Sequence, residues 1–204
     1  MNIMKSTHWI LLGIIGFSTA LTVMAEENGA KLDRQVCAVC HGPGGSTSSE
    51  LYPQLAAQPA TYLINQMKAF RDKSRSDENA RRFMWGVSSR LSDKDIQTLA
   101  TYYESKPAIH ISKITDTAKY EQGKNIFING HVEKGVPACQ ACHGKIGEGK
   151  EAVPRLGGQH AAYLKRQLAD FSGNERPAAT AMHQVVKGLT KDDIEAIAQY
   201  LQAQ

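Results

Sequence analysis

Cys37-Ala38-Val39-Cys40-His41 is repeated about a hundred residues later as Cys139-Gln140-Ala141-Cys142-His143. C-x-x-C-H is the sequence at which haem is attached covalently. Two thiols three positions apart can each form a thioether to one edge of a porphyrin, and the histidine then lies under the iron as an axial ligand. The two copies therefore predict two covalently attached haem c groups. Their attachment residues and first iron ligands would be Cys37, Cys40 and His41, and Cys139, Cys142 and His143.

Other uses of the four cysteines fit the sequence less well. A zinc ribbon places its two C-x-x-C pairs roughly 15 to 20 residues apart, whereas 98 residues separate Cys40 from Cys139. A thioredoxin-like dithiol needs a strand-helix-strand context, and neither motif follows an apolar strand pattern. Two disulfides would leave the paired histidines unexplained. Haem accounts for all four cysteines, so we predict no disulfide.

The N-terminus indicates export. Lys5 precedes an apolar stretch from Trp9 to Val23, and a small residue, Ala25, precedes Glu26. This pattern predicts a signal peptide over residues 1–25, cleaved before Glu26. An uncleaved membrane anchor is the rival interpretation because the stretch approaches the length of a short spanning helix. Cleavage is favoured by the polar residues that interrupt it, Ser18, Thr19 and Thr22. Bacterial haem attachment follows export, so we expect a periplasmic protein.

An internal repeat sets the domain organisation. Residues 53–58 (PQLAAQ) are echoed by residues 154–159 (PRLGGQ), and the match continues at an offset of 101 through Phe70 and Phe171. Met84 then matches Met182 at an offset of 98, so the first copy contains three extra residues before it. The repeat predicts a duplicated haem domain, with an N-terminal domain at 26–106, a linker at 107–115 and a C-terminal domain at 116–204.

Each copy has the pattern of helices. Ser92 with Asp95, and Thr190 with Asp193, resemble capping boxes that start the last helix of each copy. Apolar residues follow them at i, i+3, i+4 and i+7, and an earlier segment in each copy also places its apolar residues on one helical face. No segment shows the alternation of strands. The predicted fold class is all-α, with two tandem cytochrome c-type haem domains related by internal duplication.

The sixth iron ligands follow largely by elimination. Beyond the signal peptide the methionines are Met67, Met84 and Met182, and only Met182 lies in the second copy. Its repeat partner is Met84, whereas Met67 matches Leu168 on an apolar helix face and is predicted to be a core residue. Histidines could compete, but His183 is in register with Trp85 rather than with another histidine. The ligands are predicted to be Met84 and Met182, with packing or surface roles for His131, His160 and His183.

The charge pattern excludes some partners. The formal net charge is only +4. Removal of Lys5 with the signal peptide would leave +3, and four ionised haem propionates would bring the total to about −1, so neither nucleic acid nor an anionic membrane surface is indicated. The loop from Arg71 to Arg82 contains five basic residues. It could steer an acidic partner toward the first haem, or it could be a solvated loop whose acidic residues offset the charge.

These residues together resemble the dihaem cytochromes c4 over nearly the whole mature sequence. The shared pattern comprises both C-x-x-C-H motifs, both P-x-L-x-x-Q segments and both Met-x6-Leu elements before the last helices. The resemblance implies two cytochrome c folds packed with their haem edges close together. It also implies that the carbonyls of Pro53 and Pro154 accept hydrogen bonds from His41 and His143. One departure is Ala57, where the family more often has glycine.

The predicted coordination indicates the function. Histidine and methionine would fill both axial positions, leaving no vacant site for a substrate and favouring ferrous iron. We therefore predict a soluble periplasmic one-electron carrier rather than an enzyme. By resemblance, it would carry electrons from a quinol-oxidising cytochrome bc complex to a terminal oxidase. The alternatives are a haem subunit of a larger periplasmic dehydrogenase and, less favoured, a dihaem peroxidase or thiosulfate dehydrogenase. Peripheral membrane association stays open.

Overall fold

The computed structural model describes residues 26–111, 114–173 and 175–204. The predicted signal peptide, residues 1–25, lies outside these residues. The described chain is helical, and its only β-type pairings are two isolated bridges, His131 with Val136 and Lys150 with Val153. The all-α prediction is therefore confirmed. Among the described residues, no helix combines the length and apolar character needed to cross a bilayer.

The helices fall into two similar sets. In domain one, residues 26–32 are helical and run into a π-helical turn, Asp33–Cys37. There follow α1 (Ala38–His41), α2 (Ala60–Arg71), a second π-helical turn (Ala80–Met84), α3 (Trp85–Ser88) and α4 (Asp93–Glu104). Domain two contains α5 (Thr117–Asn129), α6 (Gln140–His143), α7 (Ala161–Asp170), α8 (Thr180–Lys187) and α9 (Lys191–Gln202).

Both predicted capping boxes are present. The Ser92 hydroxyl accepts from the Asp95 N–H at 3.1 Å, and the Asp95 carboxylate accepts from the Ser92 N–H at 3.0 Å. Thr190 and Asp193 repeat the arrangement at 3.1 and 2.9 Å. These contacts satisfy backbone N–H groups that the first helical turn leaves unpaired. The last helix of each domain therefore begins where the sequence predicts.

The last helix of each domain also builds its core. In domain one α4 packs on α2, and the buried residues include Leu63, Ile96 and Leu99. In domain two α9 packs on α5 and α7 around Phe127 and Ile197. A β-carbon at Gly123 of α5 would lie 2.0 Å from the Ala196 carbonyl oxygen of α9. Glycine at this position therefore permits the close approach of the two helices.

The described part of the linker lies against domain two. A β-carbon on Gly158 would lie 1.8 Å from the carbonyl oxygen of Ile109, so the two backbones are in contact. His110 Nδ1 lies 3.1 Å from a backbone oxygen of Gln204. These contacts indicate a docked connector rather than a free tether.

Candidate haem sites

The haem-attachment residues of each domain lie on one short helical stretch. Cys37 is the last residue of a π-helical turn, and α1 then carries Cys40 and His41. In domain two Cys139 immediately precedes α6, which carries Cys142 and His143. All four cysteines are free thiols, with Cys142 exposed and the others half-buried. The thiols are therefore available for thioether formation.

The two histidines are buried and oriented in the same way. Nδ1 of His41 lies 3.0 Å from the Pro53 carbonyl oxygen, and Nδ1 of His143 lies 3.0 Å from that of Pro154. A carbonyl can only accept, so Nδ1 carries the proton and Nε2 keeps its lone pair for a metal. The two proline contacts implied by the family resemblance are confirmed.

Burial adjusts the protonation of these residues. It lowers the pKa of His41 and of His143, and the hydrogen bond with the proline carbonyl acts in the opposite direction. Neutral imidazole, the form that binds iron, is thereby favoured. Burial also raises the pKa of the Cys37 thiol, and that of Cys139 to about 11. Neutral sulfur suits both positions, and a thioether sulfur carries no charge.

The two candidate methionines lie on the segment before the last helix, and both are half-buried. Met84 ends the π-helical turn Ala80–Met84, whereas Met182 lies in the first turn of α8. An edge-to-face chain of aromatic rings joins the segment containing Met84 to the histidine side: Tyr52 lies 6.0 Å from His41 and 6.5 Å from Phe83, between ring centroids. Met67 packs against the domain-one core, as predicted.

The competing histidines have other contacts. Nε2 of His183 donates to the Arg176 carbonyl at 3.0 Å, and its ring packs against Phe171. His131 lies 3.3 Å from the Asp193 carboxylate. His160 is buried between the domains, where its Nε2 lies 2.9 Å from the Thr47 carbonyl. Each of these side chains therefore has a packing or bridging contact in the fold.

Two buried arginines donate hydrogen bonds across the domain interface, and the sequence interpretation missed them. Gln66 Oε1 accepts from Arg75 and Arg176 at 2.8 and 3.0 Å, and Gln167 Oε1 accepts from the same pair at 2.6 and 2.7 Å. Both arginines and both glutamines match at the offset of 101. The repeat was therefore a usable signal, but the polar and charged neighbours of Arg75 in the sequence favoured a surface loop.

The basic loop consequently presents less charge than its sequence indicates. Arg75 is buried and pairs with buried Asp77 at 2.7 Å. Arg71 pairs with Asp93 at 2.5 Å and donates to the Leu91 carbonyl. Arg81 and Arg82 are exposed. Only part of this loop is therefore available to steer a partner.

The charge of the interface fits an anionic cofactor. Asp77 compensates Arg75, but Ala178 stands two residues after Arg176. Among the described residues, Arg176 has no carboxylate within ion-pair distance, and the half-buried Asp170 carboxylate, which interacts electrostatically with both arginines, is shared between them. Buried charges require compensation, and each haem brings two propionates. Together with the attachment motifs and the oriented histidines, this buried positive charge indicates that the residues present fit two haem c groups.

Comparison with known proteins agrees with this geometry. The cytochrome c family matches residues 26–106 and again residues 120–204. Cytochrome c4 of Azotobacter vinelandii is 35% identical over 213 residues, covering 99% of each chain. The solved structure of Acidithiobacillus ferrooxidans cytochrome c4 superposes with a TM-score of 0.77 at 37% identity, covering 82% of this chain and 98% of that one.

A relative with a more specific name also matches. The thiosulfate dehydrogenase electron acceptor of Thiomonas intermedia is 36% identical over 174 residues, covering 82% of this chain and 78% of the relative. The similarity therefore includes both general dihaem carriers and a carrier named for its donor enzyme.

Proposed function

This chain belongs to the cytochrome c family as a tandem member with two covalently attached haem c groups, and we propose that it is a periplasmic one-electron carrier with histidine and methionine on each iron. The ligand pairs are His41 with Met84 and His143 with Met182. When bound, each haem supplies a ferric/ferrous couple that accepts or donates one electron. Methionine ligation raises the potential of that couple.

The chain's own residues hold these groups in place. The cysteines fix the porphyrin edge, and the Pro53 and Pro154 carbonyls hold the imidazoles at 3.0 Å so that each Nε2 faces a fixed direction. A rigid ligand changes little when the iron gains or loses an electron. Small rearrangement is the property that a carrier needs and that an enzyme with an open iron site does not share.

The observation that carries the proposal is the equivalence of the two sites. Both histidines are buried, both bond to the matching proline at the same distance, and each domain has a half-buried methionine on the matching segment. A dihaem peroxidase needs one accessible iron, which would favour two dissimilar sites. Matching sites favour a carrier that holds two electrons.

The ligand assignment is tested by a spectroscopic redox titration of the haem-loaded protein. The parent should show two positive potentials and the ferric methionine-to-iron charge-transfer band. Met84→Ala and Met182→Ala should each remove about half of that band, because each haem would lose its thioether ligand. Met67→Leu is the matched control, since domain two has Leu168 at that position. A parent that lacks the band, or a Met67→Leu variant that loses half of it, would contradict the assignment.

We place the carrier between a quinol-oxidising cytochrome bc complex and a terminal oxidase. A second candidate is the role of electron acceptor for a thiosulfate dehydrogenase, which the similarity to the Thiomonas intermedia protein favours. Stopped-flow reduction by a purified bc complex and by a thiosulfate dehydrogenase would separate the two roles. Rapid reduction by the bc complex alone supports the first, and rapid reduction by the dehydrogenase alone supports the second.

Export completes the proposal. The apolar N-terminal stretch predicts cleavage before Glu26, and haem attachment requires delivery to the periplasm. Mass spectrometry of the haem-containing protein from a periplasmic fraction should give a chain that begins at Glu26 and carries two haems. A haem-loaded protein that retains residues 1–25 in the membrane fraction would instead support the uncleaved anchor.

A further inference from the structure

Two glutamines bond the domains to each other in a reciprocal way. The Gln159 side chain makes two hydrogen bonds to the backbone of Gln54: its Oε1 accepts from the N–H at 2.9 Å and its Nε2 donates to the carbonyl at 3.1 Å. The Gln58 side chain bonds to the backbone of Arg155 in the same manner: its Oε1 accepts from the N–H at 2.6 Å and its Nε2 donates to the carbonyl at 3.1 Å. Gln58 matches Gln159 in the repeat, and Gln54 matches Arg155. All four residues are buried.

In each case the glutamine bonds to the peptide group whose carbonyl accepts from the haem histidine of the other domain. The Gln54 N–H and the Pro53 carbonyl belong to one peptide unit, and that carbonyl accepts from His41. The unit therefore accepts at its oxygen and donates at its nitrogen. Hydrogen bonds at the two ends of one amide polarise it and strengthen each other, most of all where water is excluded. Arg155, Pro154 and His143 form the same chain with Gln58.

We propose that Gln58 and Gln159 are positioning residues, each of which tunes the axial histidine of the other domain's haem. The inference rests on the proposed function, in which His41 and His143 are iron ligands. By accepting the peptide N–H, the glutamine makes the proline carbonyl a stronger acceptor and the imidazole a more electron-rich ligand. An electron-rich ligand favours ferric iron. Loss of a glutamine therefore raises the potential of the opposite haem.

Each chain of hydrogen bonds, from the glutamine through the peptide unit to the histidine of the other domain, is called a relay here, and the two relays differ in strength. Gln159 Oε1 also accepts from the His160 N–H at 3.0 Å, so its acceptor capacity is shared. Gln58 Oε1 makes the shorter bond, 2.6 Å against 2.9 Å. The relay from Gln58 to the haem of domain two is therefore the stronger one, and its loss has the larger effect.

The test uses Gln58→Met and Gln159→Met in the full haem-loaded protein, because methionine matches glutamine in length but offers no amide. NMR of the reduced protein reports hydrogen exchange at the Nδ1–H of each histidine, and an NMR-followed titration gives the potential of each haem. Gln159→Met should speed exchange at His41 and raise the potential of domain one. Gln58→Met should act on His143 and domain two. For Gln58→Met we expect about a threefold change in the ferrous-to-ferric ratio of the domain-two haem, which is about 28 mV because tenfold is about 59 mV for one electron, and for Gln159→Met a smaller change at the domain-one haem.

Controls separate tuning from loosening of the interface. Gln66→Met alters an interface contact that touches neither peptide, so it should leave both Nδ1–H signals unchanged. Gln58→Glu and Gln159→Glu retain an acceptor oxygen and should keep the opposite potential from rising. If a methionine variant fails to take up haem, Gln58→Asn or Gln159→Asn withdraws the amide by one methylene and serves the same test.

The outcomes are distinguishable. A parent spectrum without two His/Met haems defeats the proposed function itself. If the parent is as proposed, three results overturn the relay: shifts confined to the variant's own domain, potentials that fall because water has entered, or unchanged Nδ1–H exchange in both variants. The crossed pattern, with each variant acting on the opposite haem, supports it.

Discussion

Tyr103 in domain one and Leu201 in domain two occupy matching positions of the last helix, and both are buried. The Tyr103 hydroxyl donates to buried Asp33 at 2.7 Å, and the second oxygen of that carboxylate accepts from the Gly44 N–H at 2.9 Å. Domain two fills the same space with an apolar side chain. The difference teaches that identical haem motifs can be supported by a polar network or by apolar packing.

The difference extends to the helices around the ligands. Domain one has π-helical turns ending at Cys37 and at Met84, whereas the described part of domain two reaches Met182 within the regular helix α8. Domain one also relies on its neighbour. Arg166 donates to the carbonyls of Glu50 and Leu51 at 3.1 and 2.9 Å, so domain two holds the loop between His41 and Pro53. The reliance is mutual, because the Tyr62 N–H of domain one donates to the Glu151 carbonyl, in the matching loop of domain two, at 3.0 Å.

The largest test of this contrast concerns the buried ion pair that domain two lacks. Asp77→Asn leaves the Arg75 guanidinium buried without its carboxylate, and we expect a loss of about 3 kcal/mol in the free energy of unfolding. Chemical denaturation of the haem-loaded protein, followed by circular dichroism, measures this. Ala178→Ser, at the corresponding place in domain two, is the control and should change the stability little. A near-zero effect of Asp77→Asn would show that another anion compensates Arg75.

A second test concerns a backbone conformation that both domains share. Ala57 and Gly158 are in register and both have positive φ, 56° and 73°. Gly158→Ala adds left-handed strain and drives a β-carbon into the Ile109 carbonyl, so we expect a cost of about 3 kcal/mol. The opposite substitution at the matching position, Ala57→Gly, relieves backbone strain but increases the conformational entropy of the unfolded chain. We expect a net gain of about 0.5 kcal/mol in the free energy of unfolding. Equal and opposite changes would mean that the linker contact contributes nothing.

The two capping boxes give a smaller contrast that depends on pH. Burial raises the pKa of Asp193, but hydrogen bonds from Thr190, Lys134 and His131 outweigh it and hold that pKa well below its usual range. The stabilisation is therefore complete above the unfolded pKa, near 4, and is lost as the pH falls through the lower folded pKa. Asp193→Asn should lower the free energy of unfolding by about 2 kcal/mol at neutral pH. It should also make the free energy of unfolding depend less on pH in the acid range.

Asp95 is the matched control for Asp193. Hydrogen bonds from the Ser92 hydroxyl and N–H also lower its pKa, but the residue is only half-buried, whereas Asp193 is buried. Asp95→Asn should cost only about 0.5 kcal/mol. Equal costs for the two variants, measured at pH 7 and in an acid titration, would remove the difference in burial as the cause.

The smallest expected effect concerns charge beside the methionines. Arg81 and Arg82 are exposed shortly before Met84, and the matching residues in domain two are Ala179 and Thr180. Reversing both charges in Arg81→Glu/Arg82→Glu should slow reaction with an acidic redox partner a few-fold at low salt and very little at high salt. Stopped-flow rates across ionic strength measure this. A salt dependence identical to that of the parent would exclude steering by this loop.

Local patterns carried most of the sequence interpretation. Residues close together in the sequence define the C-x-x-C-H motifs, the capping boxes and the apolar faces of α2, α4, α7 and α9. These features can therefore be recognised from the sequence alone. Arg75 shows the limit of such reasoning. Its neighbours in sequence are polar, yet it is buried, because its hydrogen-bond acceptors, Gln66 and Gln167, lie on two different domains.

The sequence by itself determined the two haem c groups, the helical class and the duplication, because covalent attachment and helix periodicity require particular residues at short spacings. Only the tertiary structure decided how the copies meet: which peptide group each glutamine bonds to, and which side chains accept hydrogen bonds from Arg75 and Arg176. Those bonds join residues about a hundred positions apart. Their formation depends on the packing of two folded surfaces, which no local spacing specifies.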